Sequence, residues 1–576
     1  MNKINYKFFS LLCFSIMLLL QACKKDKFDF ETDNRVITQN RVNSTARIIN
    51  VTGFNQVIAN GDSLTNFIIR VPNTPNSQQY PGTSYFPSNG QLGAIWFVPQ
   101  DLFNAQETAK LDFTTRTYVP SGADDVKLDV KNDYSNPTDY VLLPKFAMDG
   151  QPEVVQLKRG VTAPSKPDHF KIRIVNLSGA IKNPANNSSG RQEDLSGNLS
   201  LAYADGTLVD AKTSNISAAA KNSDYIELPY GTYQFKVLTQ DGRQMPALGN
   251  GLDAITLIDP PTSTIPIDMM NSTALTYAPI QTYQPGGIYT ILIAPQKFGY
   301  NINDIGETST TYQNSFQVIA DNSPAANTTY FRVQGVNGLA ASNVSFKLDG
   351  KTIASNLGFG MAGAYSNFVQ GSHTVEAVDA AGKVIASFNQ VLRPAQNYTA
   401  WLYVDPSGTA KLLIVANDLS GTTYLGAEDD ATYSRNQYRY FFFKRFLNLS
   451  ADNPYITFTQ SNGQSSAGIN DNPNAGVNLQ PGVPLFERPY ISNLYTQKAF
   501  EIMAYRSKPN VVPGIWASDI EVLKNDAFIA DKSLYQKTGR ALPVQEPGIY
   551  TIGLIGQSGS STPANKARMI IIKHNK

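Results

Sequence analysis

Cysteine and histidine are almost missing from this 576-residue chain, which has two of the first (Cys13 and Cys23) and three of the second (His169, His373 and His574). No histidine stands near another histidine or a cysteine at metal-ligating spacing, so zinc sites and histidine-driven nucleophilic catalysis are not expected. Charge is also sparse. Asp, Glu, Lys and Arg make up 16% of the chain, below the roughly 25% of ordinary soluble domains. Basic and acidic residues nearly balance, at 48 and 46, and no basic cluster offers the phosphate neutralisation on which nucleic-acid binding rests. There is no glycine-rich phosphate loop and no Gly-x-Ser-x-Gly elbow. No cofactor and no catalytic residue are implied.

The start of the chain carries the strongest signal. Lys3 and Lys7 precede an almost wholly apolar run over residues 8–20, followed by Leu20-Gln21-Ala22-Cys23. At 13 residues the run is short of the roughly 20 a spanning helix needs. The pattern predicts a secretory signal over residues 1–22 ending in a lipobox, cleavage before Cys23, and attachment to a membrane through lipid on that thiol. Cleavage would leave Cys23 as the sole cysteine, so no intramolecular disulfide is expected. Lys24 follows the cysteine, where some bacteria place an aspartate that retains lipoproteins at the inner membrane. This leans toward the outer membrane of a Gram-negative bacterium, with the exposed face left open.

Residues 23–45 are polar and mixed in charge and read as a tether. The body then repeats. Arg47-Ile48-Ile49-Asn50-Val51-Thr52 matches Arg173-Ile174-Val175-Asn176-Leu177-Ser178 and Arg445-Phe446-Leu447-Asn448-Leu449-Ser450, with a looser copy at Phe331-Arg332-Val333-Gln334-Gly335-Val336-Asn337. Intervals of 126, 159 and 113 residues each suit one sandwich domain. The simplest account of the motif is an opening strand whose Asn and hydroxyl residues tie down the turn that follows. Closing strands recur at Gly287-Ile288-Tyr289-Thr290-Ile291, Asn397-Tyr398-Thr399-Ala400-Trp401 and Gly548-Ile549-Tyr550-Thr551-Ile552. Between them, alternation at Val344-Phe346-Leu348, Leu199-Leu201-Tyr203 and Tyr233-Phe235-Val237 runs into Asp-Gly turns, a strong hairpin signal. The fold expected is all-β: tandem immunoglobulin-like antiparallel β-sandwiches over residues 46–160, 168–320, 328–418 and 438–576.

The third repeat resembles a family of small β-domains of unknown function found repeated in bacterial cell-surface lipoproteins. Phe331-Arg332-Val333, the hairpin Val344-Ser345-Phe346-Lys347-Leu348-Asp349-Gly350-Lys351, Gln370-Gly371-Ser372-His373-Thr374-Val375 and Tyr398-Thr399-Ala400 carry the likeness. The second repeat is similar at Tyr230-Gly231-Thr232-Tyr233-Gln234-Phe235. The resemblance implies an immunoglobulin-like sandwich on an envelope lipoprotein and supplies no catalytic residues.

Other candidates are weaker. Carboxylates cluster at Asp124, Asp125, Asp129 and Asp133 and at Glu428-Asp429-Asp430, but a glycosidase pair or a calcium site is the less favoured reading of either. Asp471 to Gly476 reads as an Asn-rich turn rather than a calcium loop. His373 is expected to be an exposed strand residue. Trp96 and Trp401 are expected in cores, and Trp516 on the surface. Tyr80, Tyr85 and Phe86 lie in a loop that could offer aromatics to a partner. Asp62-Ser63-Leu64 fits a short envelope O-glycosylation pattern at Ser63. Short helices are expected within residues 101–110 and 518–528. The function expected is non-catalytic display of β-modules for glycan or protein binding. A carboxylate-dependent glycan hydrolase and a structural subunit of an envelope assembly are the alternatives; for the latter, a strand at residues 568–573 lying outside its own sheet would be the mark.

Overall fold

The computed structural model describes residues 41–67, 81–116, 125–187, 190–249, 275–302, 307–322, 325–340, 342–417, 419, 442–468, 471–492, 499–536 and 542–576. Cys23 and the whole leader and tether up to residue 40 lie outside the described residues, as do Asp124, Glu428-Asp429-Asp430 and Tyr80. The fold is all-β, with 49% of residues in strands and 4% in helix. The chain gathers into two compact units, one of residues up to Ile48 with Gly53–Tyr134, the other of Ile49–Thr52 with Ser135–Lys576.

In the smaller unit the strands Asp62–Ser63, Gln56–Ala59, Thr108–Thr114 and Asp125–Lys131 form one sheet in that order. Asp125–Lys131 alternates as its sequence suggests: Val126 and Val130 are buried, while Asp125, Lys127 and Asp129 face solvent. Lys127 approaches Asp112 across the strand pair at 3.5 Å and Asp125 on its own strand at 3.8 Å, so these carboxylates are ordinary surface ion-pair partners.

The larger unit holds the clearest repeats. In the third, Ser366–Val369, Tyr330–Asn337, Asn397–Val404 and Ala410–Asn417 make one four-stranded sheet, and Lys351–Leu357, Val344–Leu348, Gly371–Val378 and Val384–Leu392 make the facing one. Phe331, Val333, Phe346, Val375, Ala400 and Leu402 fill the space between them. The fourth repeat copies this plan: Phe442–Asn448 and Gly548–Ile555 lie centrally in one sheet, and Ile456–Gln460 and Glu501–Lys508 in the other. In the second, His169–Asn176 and Ile288–Asn301 are neighbours within a six-stranded sheet. Most pairs are antiparallel, but the opening and closing strands run parallel in all three, with Arg173, Arg332 and Arg445 opposite Thr290, Asn397 and Thr551. Parallel neighbours are buried on both faces, and here the outer faces are covered by adjoining repeats. Val336, Trp401 and Tyr403 pack with Leu447, Leu449 and Ile555; Val141 and Leu157 pack with Val175, Leu177 and Leu292.

The Asp349-Gly350 turn closes the Val344–Leu348/Lys351–Leu357 hairpin with φ of 48° and 77°, the left-handed pair that a two-residue turn requires. Residues 101–110 carry only the 3-10 turn Gln100–Leu102, and residues 518–528 only Asn525–Phe528. Strand Thr108–Thr114 takes the rest of the first stretch because Ala109, Leu111 and Phe113 alternate into the core.

The motif's asparagine acts as a staple. Asn448 donates through Nδ2 to the carbonyls of Asn453 (2.7 Å) and Leu479 (2.9 Å) and accepts from Ser450 N–H (3.1 Å). Asn176 serves Gly197, Ile216 and Ser178 in the same way, and Asn337 serves Ser342, Leu357 and Leu339. All three are buried. At about 1 kcal/mol per hydrogen bond, with further loss for stranded buried partners, Asn448→Ala is expected to destabilise its module by roughly 3 kcal/mol. Amide exchange in Phe442–Asn448 and Ile456–Gln460 would accelerate accordingly; unchanged exchange would show that the staple contributes nothing.

Candidate functional site

The motif's arginine points away from the core of its own sandwich, yet it is buried in every repeat, at 0%, 5%, 4% and 3% exposure for Arg47, Arg173, Arg332 and Arg445. Each guanidinium lies near an aromatic ring: Phe97 at 5.5 Å, Tyr225 at 4.8 Å, Tyr365 at 4.5 Å and Tyr490 at 5.4 Å. The closing strand supplies a polar partner beside three of them. Arg173 Nε donates to Thr290 Oγ1 (3.0 Å), Arg332 Nε to Asn397 Oδ1 (2.6 Å) and Arg445 Nη2 to Thr551 Oγ1 (3.2 Å). A buried cation is tolerated only with such donors, acceptors and ring faces around it.

Between the third and fourth repeats these groups join a polar seam. His574 faces Tyr365 OH across 2.9 Å from Nδ1 and Thr551 Oγ1 across 2.7 Å from Nε2. Burial, then Arg445 and Arg332, push His574 well below the usual imidazole range, so it is neutral. Asn417 Nδ2 donates to Tyr365 OH (2.9 Å) and Thr399 Oγ1 (2.8 Å), and its Oδ1 accepts from Arg445 Nη2. A second polar knot ties the second repeat to the fourth. Glu546 takes Lys236 Nζ at 3.3 Å and Lys573 Nζ at 3.6 Å, a hydrogen bond from Tyr535 OH at 2.9 Å and one from Ala530 N–H at 3.2 Å. Burial pushes Lys573 down to about 8, against the pull of Glu546.

These two knots border a cleft of about 590 Å³ where the second, third and fourth repeats meet, the kind of junction at which ligand sites are commonly found. Tyr203, Tyr230, Arg332, Gln334, Lys573 and His574 line it, with Met361 and Asn367. Among the described residues no Asp or Glu side chain lines it. Gly231 makes room for the arginine: a Cβ there would lie 2.4 Å from Arg332 Nη1.

The positions singled out from sequence fare unevenly. Ser63 is exposed on the strand Asp62–Ser63, its hydroxyl bonded to the Thr65 carbonyl at 2.8 Å. Trp96 and Trp401 are buried, at 8% and 0%, and Trp516 is exposed at 46%. Residues 471–476 form an Asn turn, with Asn472 Oδ1 accepting from Asn474 N–H at 3.0 Å and Gly476 at φ 82°. His373 is not a free surface residue. Its Nδ1 meets Asp349 Oδ2 at 2.7 Å and its Nε2 the Val369 carbonyl at 2.9 Å, pinning the hairpin turn. Nor do Tyr85 and Phe86 stand out for a partner: Tyr85 carries Arg41 at 3.8 Å over its ring, and Phe86 packs on Trp96 at 5.6 Å. The terminal strand Arg568–Lys573 pairs inside its own sheet with Gly548–Ile555. Among the described residues no group of three His, Cys, Asp or Glu side chains is placed to hold a metal ion, and no helix is long and apolar enough to cross a membrane.

Sequence reasoning found the arginines and missed their burial. The aromatic partners lie on other strands at irregular separations; aligned strands put Tyr225 and Tyr490 beside Arg173 and Arg445, and Tyr365 beside Gln334, two residues after Arg332.

No family model matches the chain, and no curated protein matches it. Among solved structures, the Bacillus anthracis TIE protein is similar over 62% of this chain and 48% of its own length, at 10% identity and a TM-score of 0.10. The chain therefore spans about half of that structure.

Proposed function

We propose that the protein is a non-catalytic, lipid-anchored component of the envelope of a Gram-negative bacterium, resembling the repeated β-domain lipoproteins, and that its sandwiches display binding surfaces to glycan or protein. The observation that carries the reading is a cleft at a module junction lined, among the described residues, by cations and tyrosines and by no Asp or Glu side chain. A hydrolase of the usual kind needs two carboxyl groups there, whereas a binding module needs only convergent polar and aromatic faces. The in-sheet pairing of Arg568–Lys573 gives no support to strand donation in an assembly.

The leader ending at Cys23 supplies the anchor, by lipid on the thiol, and the outer membrane is its destination. Exposed Ser63 is the glycosylation position of the same reading. A clickable palmitate fed to the native host is expected to label the wild-type protein and not Cys23→Ser, with the peptide holding Ser63 heavier by a glycan. The detergent-solubilised protein is expected to bind members of a glycan array. Absence of label would remove the anchor; a blank array would remove the glycan ligand and leave protein as the partner class.

A further inference from the structure

The second and third repeats place the same tyrosine and threonine at one strand position, held by Arg173 opposite Thr290 in the second and by Gln334 opposite Thr399 in the third, with Arg332 two residues earlier, opposite Asn397. In the second repeat, Asp321 Oδ2 accepts from Tyr225 OH at 2.8 Å and from Thr290 Oγ1 at 2.7 Å. A carboxylate therefore sits within two hydrogen bonds of Arg173. In the third, the group bonded to the equivalent Tyr365 and Thr399 is the amide of Asn417. That position is neutral in the third repeat, Gln334 donating to Thr399 Oγ1 at 3.0 Å, whereas Arg332 beside it has, among the described residues, no carboxylate in ion-pair range, and its Nη2 has no hydrogen-bond partner although it is buried. Lys573 Nζ, on the other side of the cleft, also makes no hydrogen bond. Its neighbour Glu546 is shared with Lys236, so that knot holds two cations for one anion. A surplus of buried positive charge facing a cavity is expensive unless an anion enters it.

The rest of the lining narrows the anion. Lys576 Nζ lies 4.2 Å over the Tyr203 ring and adds a further cation, and Met361, at 59% exposure, stands among the lining residues. Gln334 and Asn367 add amide carbonyls suited to hydroxyl donors, while their NH2 groups are engaged, Gln334 with Thr399 Oγ1 at 3.0 Å and Asn367 with Asp168 at 3.3 and 3.4 Å. A planar guanidinium matches a carboxylate with two parallel hydrogen bonds. About 590 Å³ lies within the range of small-molecule sites. We propose that this cleft binds the carboxylate-bearing ring of a uronic-acid-type residue in an acidic glycan, with the carboxylate at Arg332 and Lys573 and the ring beside Met361. The proposal rests on the glycan-display reading and names its ligand class.

The test uses the full-length protein in detergent, titrated with a galacturonate trisaccharide, the neutral galactose trisaccharide and inorganic phosphate, and read by calorimetry. The acidic trisaccharide is expected to bind, and both other probes to bind at least about tenfold more weakly, as loss of a charge-assisted pair implies. Arg332→Gln is expected to weaken the acidic trisaccharide by about tenfold or more. Met361→Trp, which fills the cleft from an exposed position and leaves the buried seam untouched, should weaken it comparably and keeps the test decisive if Arg332→Gln misfolds. No binding of the acidic trisaccharide to folded wild type, equal binding of phosphate, or wild-type affinity in Met361→Trp would overturn the assignment. If the array then shows neutral glycans bound, the display reading stands and only the acidic ligand falls; a blank array removes both.

Discussion

Glu546→Ala is expected to destabilise the junction between the second and fourth repeats by about 3–5 kcal/mol, the range measured when one member of a buried ion pair is deleted. Lys236 and Glu546 are both fully buried, 3.3 Å apart, and Lys573 approaches the other carboxylate oxygen at 3.6 Å. Removing the carboxylate leaves two buried ammonium groups facing each other and strands Tyr535 OH and Ala530 N–H. Glu546→Gln keeps hydrogen-bonding capacity and loses the charge, so an intermediate loss is expected. The segment to watch is the last three residues, which lie along the second repeat through Gln234 N–H to the Lys576 carbonyl (2.8 Å) and Asn575 Nδ2 to Gln234 Oε1 (2.9 Å). Faster amide exchange at residues 231–239 and 574–576, with the third repeat unchanged, is the predicted pattern. Wild-type exchange in Glu546→Ala would mean that the pair contributes nothing net.

The pH dependence follows from the same carboxylate. Burial would push Glu546 up, but Lys236 and Lys573 more than offset it and hold the group below its ordinary range. A carboxyl with a lowered folded-state pKa contributes stability that is complete above its unfolded value, about 4.5, and is lost as pH falls through the folded one. The junction should therefore loosen in acid as pH falls below the unfolded carboxyl's value and through the lower folded one.

Lys444→Met is expected to move stability the other way. Lys444 lies on the strand Phe442–Asn448 with its side chain turned inward, its ammonium 4.1 Å from the Phe442 ring centre and 5.9 Å from that of Phe500. Burial pushes it down to about 7, against the upward pull of Asp471. Between about pH 7 and its unfolded value near 10.5, the unfolded chain holds a proton that the folded one has released. Stability therefore rises with pH across that window, by up to about 1.4 kcal/mol per unit. Below it the full penalty is present. Methionine fills a similar volume without a charge, so Lys444→Met should gain up to roughly 4 kcal/mol at pH 7 and flatten the slope by one lysine's share. Denaturant titrations at pH 7 and 9.5 would show both effects. A less stable variant, or an unchanged slope, would mean that the ammonium is needed where it sits.

Both residues mark the limits of sequence reading. Lys444 occupies an inward position of a strand whose neighbours Phe442 and Phe446 fill the core, and nothing in the local pattern distinguishes it from a solvent-facing lysine. Glu546 meets Lys236 across 310 residues, a pairing that no spacing rule reaches. The asparagine staples, in contrast, were legible: a motif of arginine, an apolar strand, then Asn with a hydroxyl residue is local, and Asn448 does bond its own turn. The hairpin at Asp349-Gly350 was legible for the same reason. His373 was misjudged because its partner Asp349 lies on the neighbouring strand pair, 24 residues away.

The sequence by itself determined what short-range chemistry controls: the all-β character through period-two alternation and Asp-Gly turns, the repeat through its arginine motif, and the leader-and-cysteine pattern that motivates the proposed anchor. Tertiary structure alone decided which strands run parallel, which arginines lose their solvent, and where Arg332, Lys573 and His574 converge. The reason is physical. Turns and strand faces depend on neighbours within a few residues, while burial of a sheet's outer face depends on which module comes to lie against it.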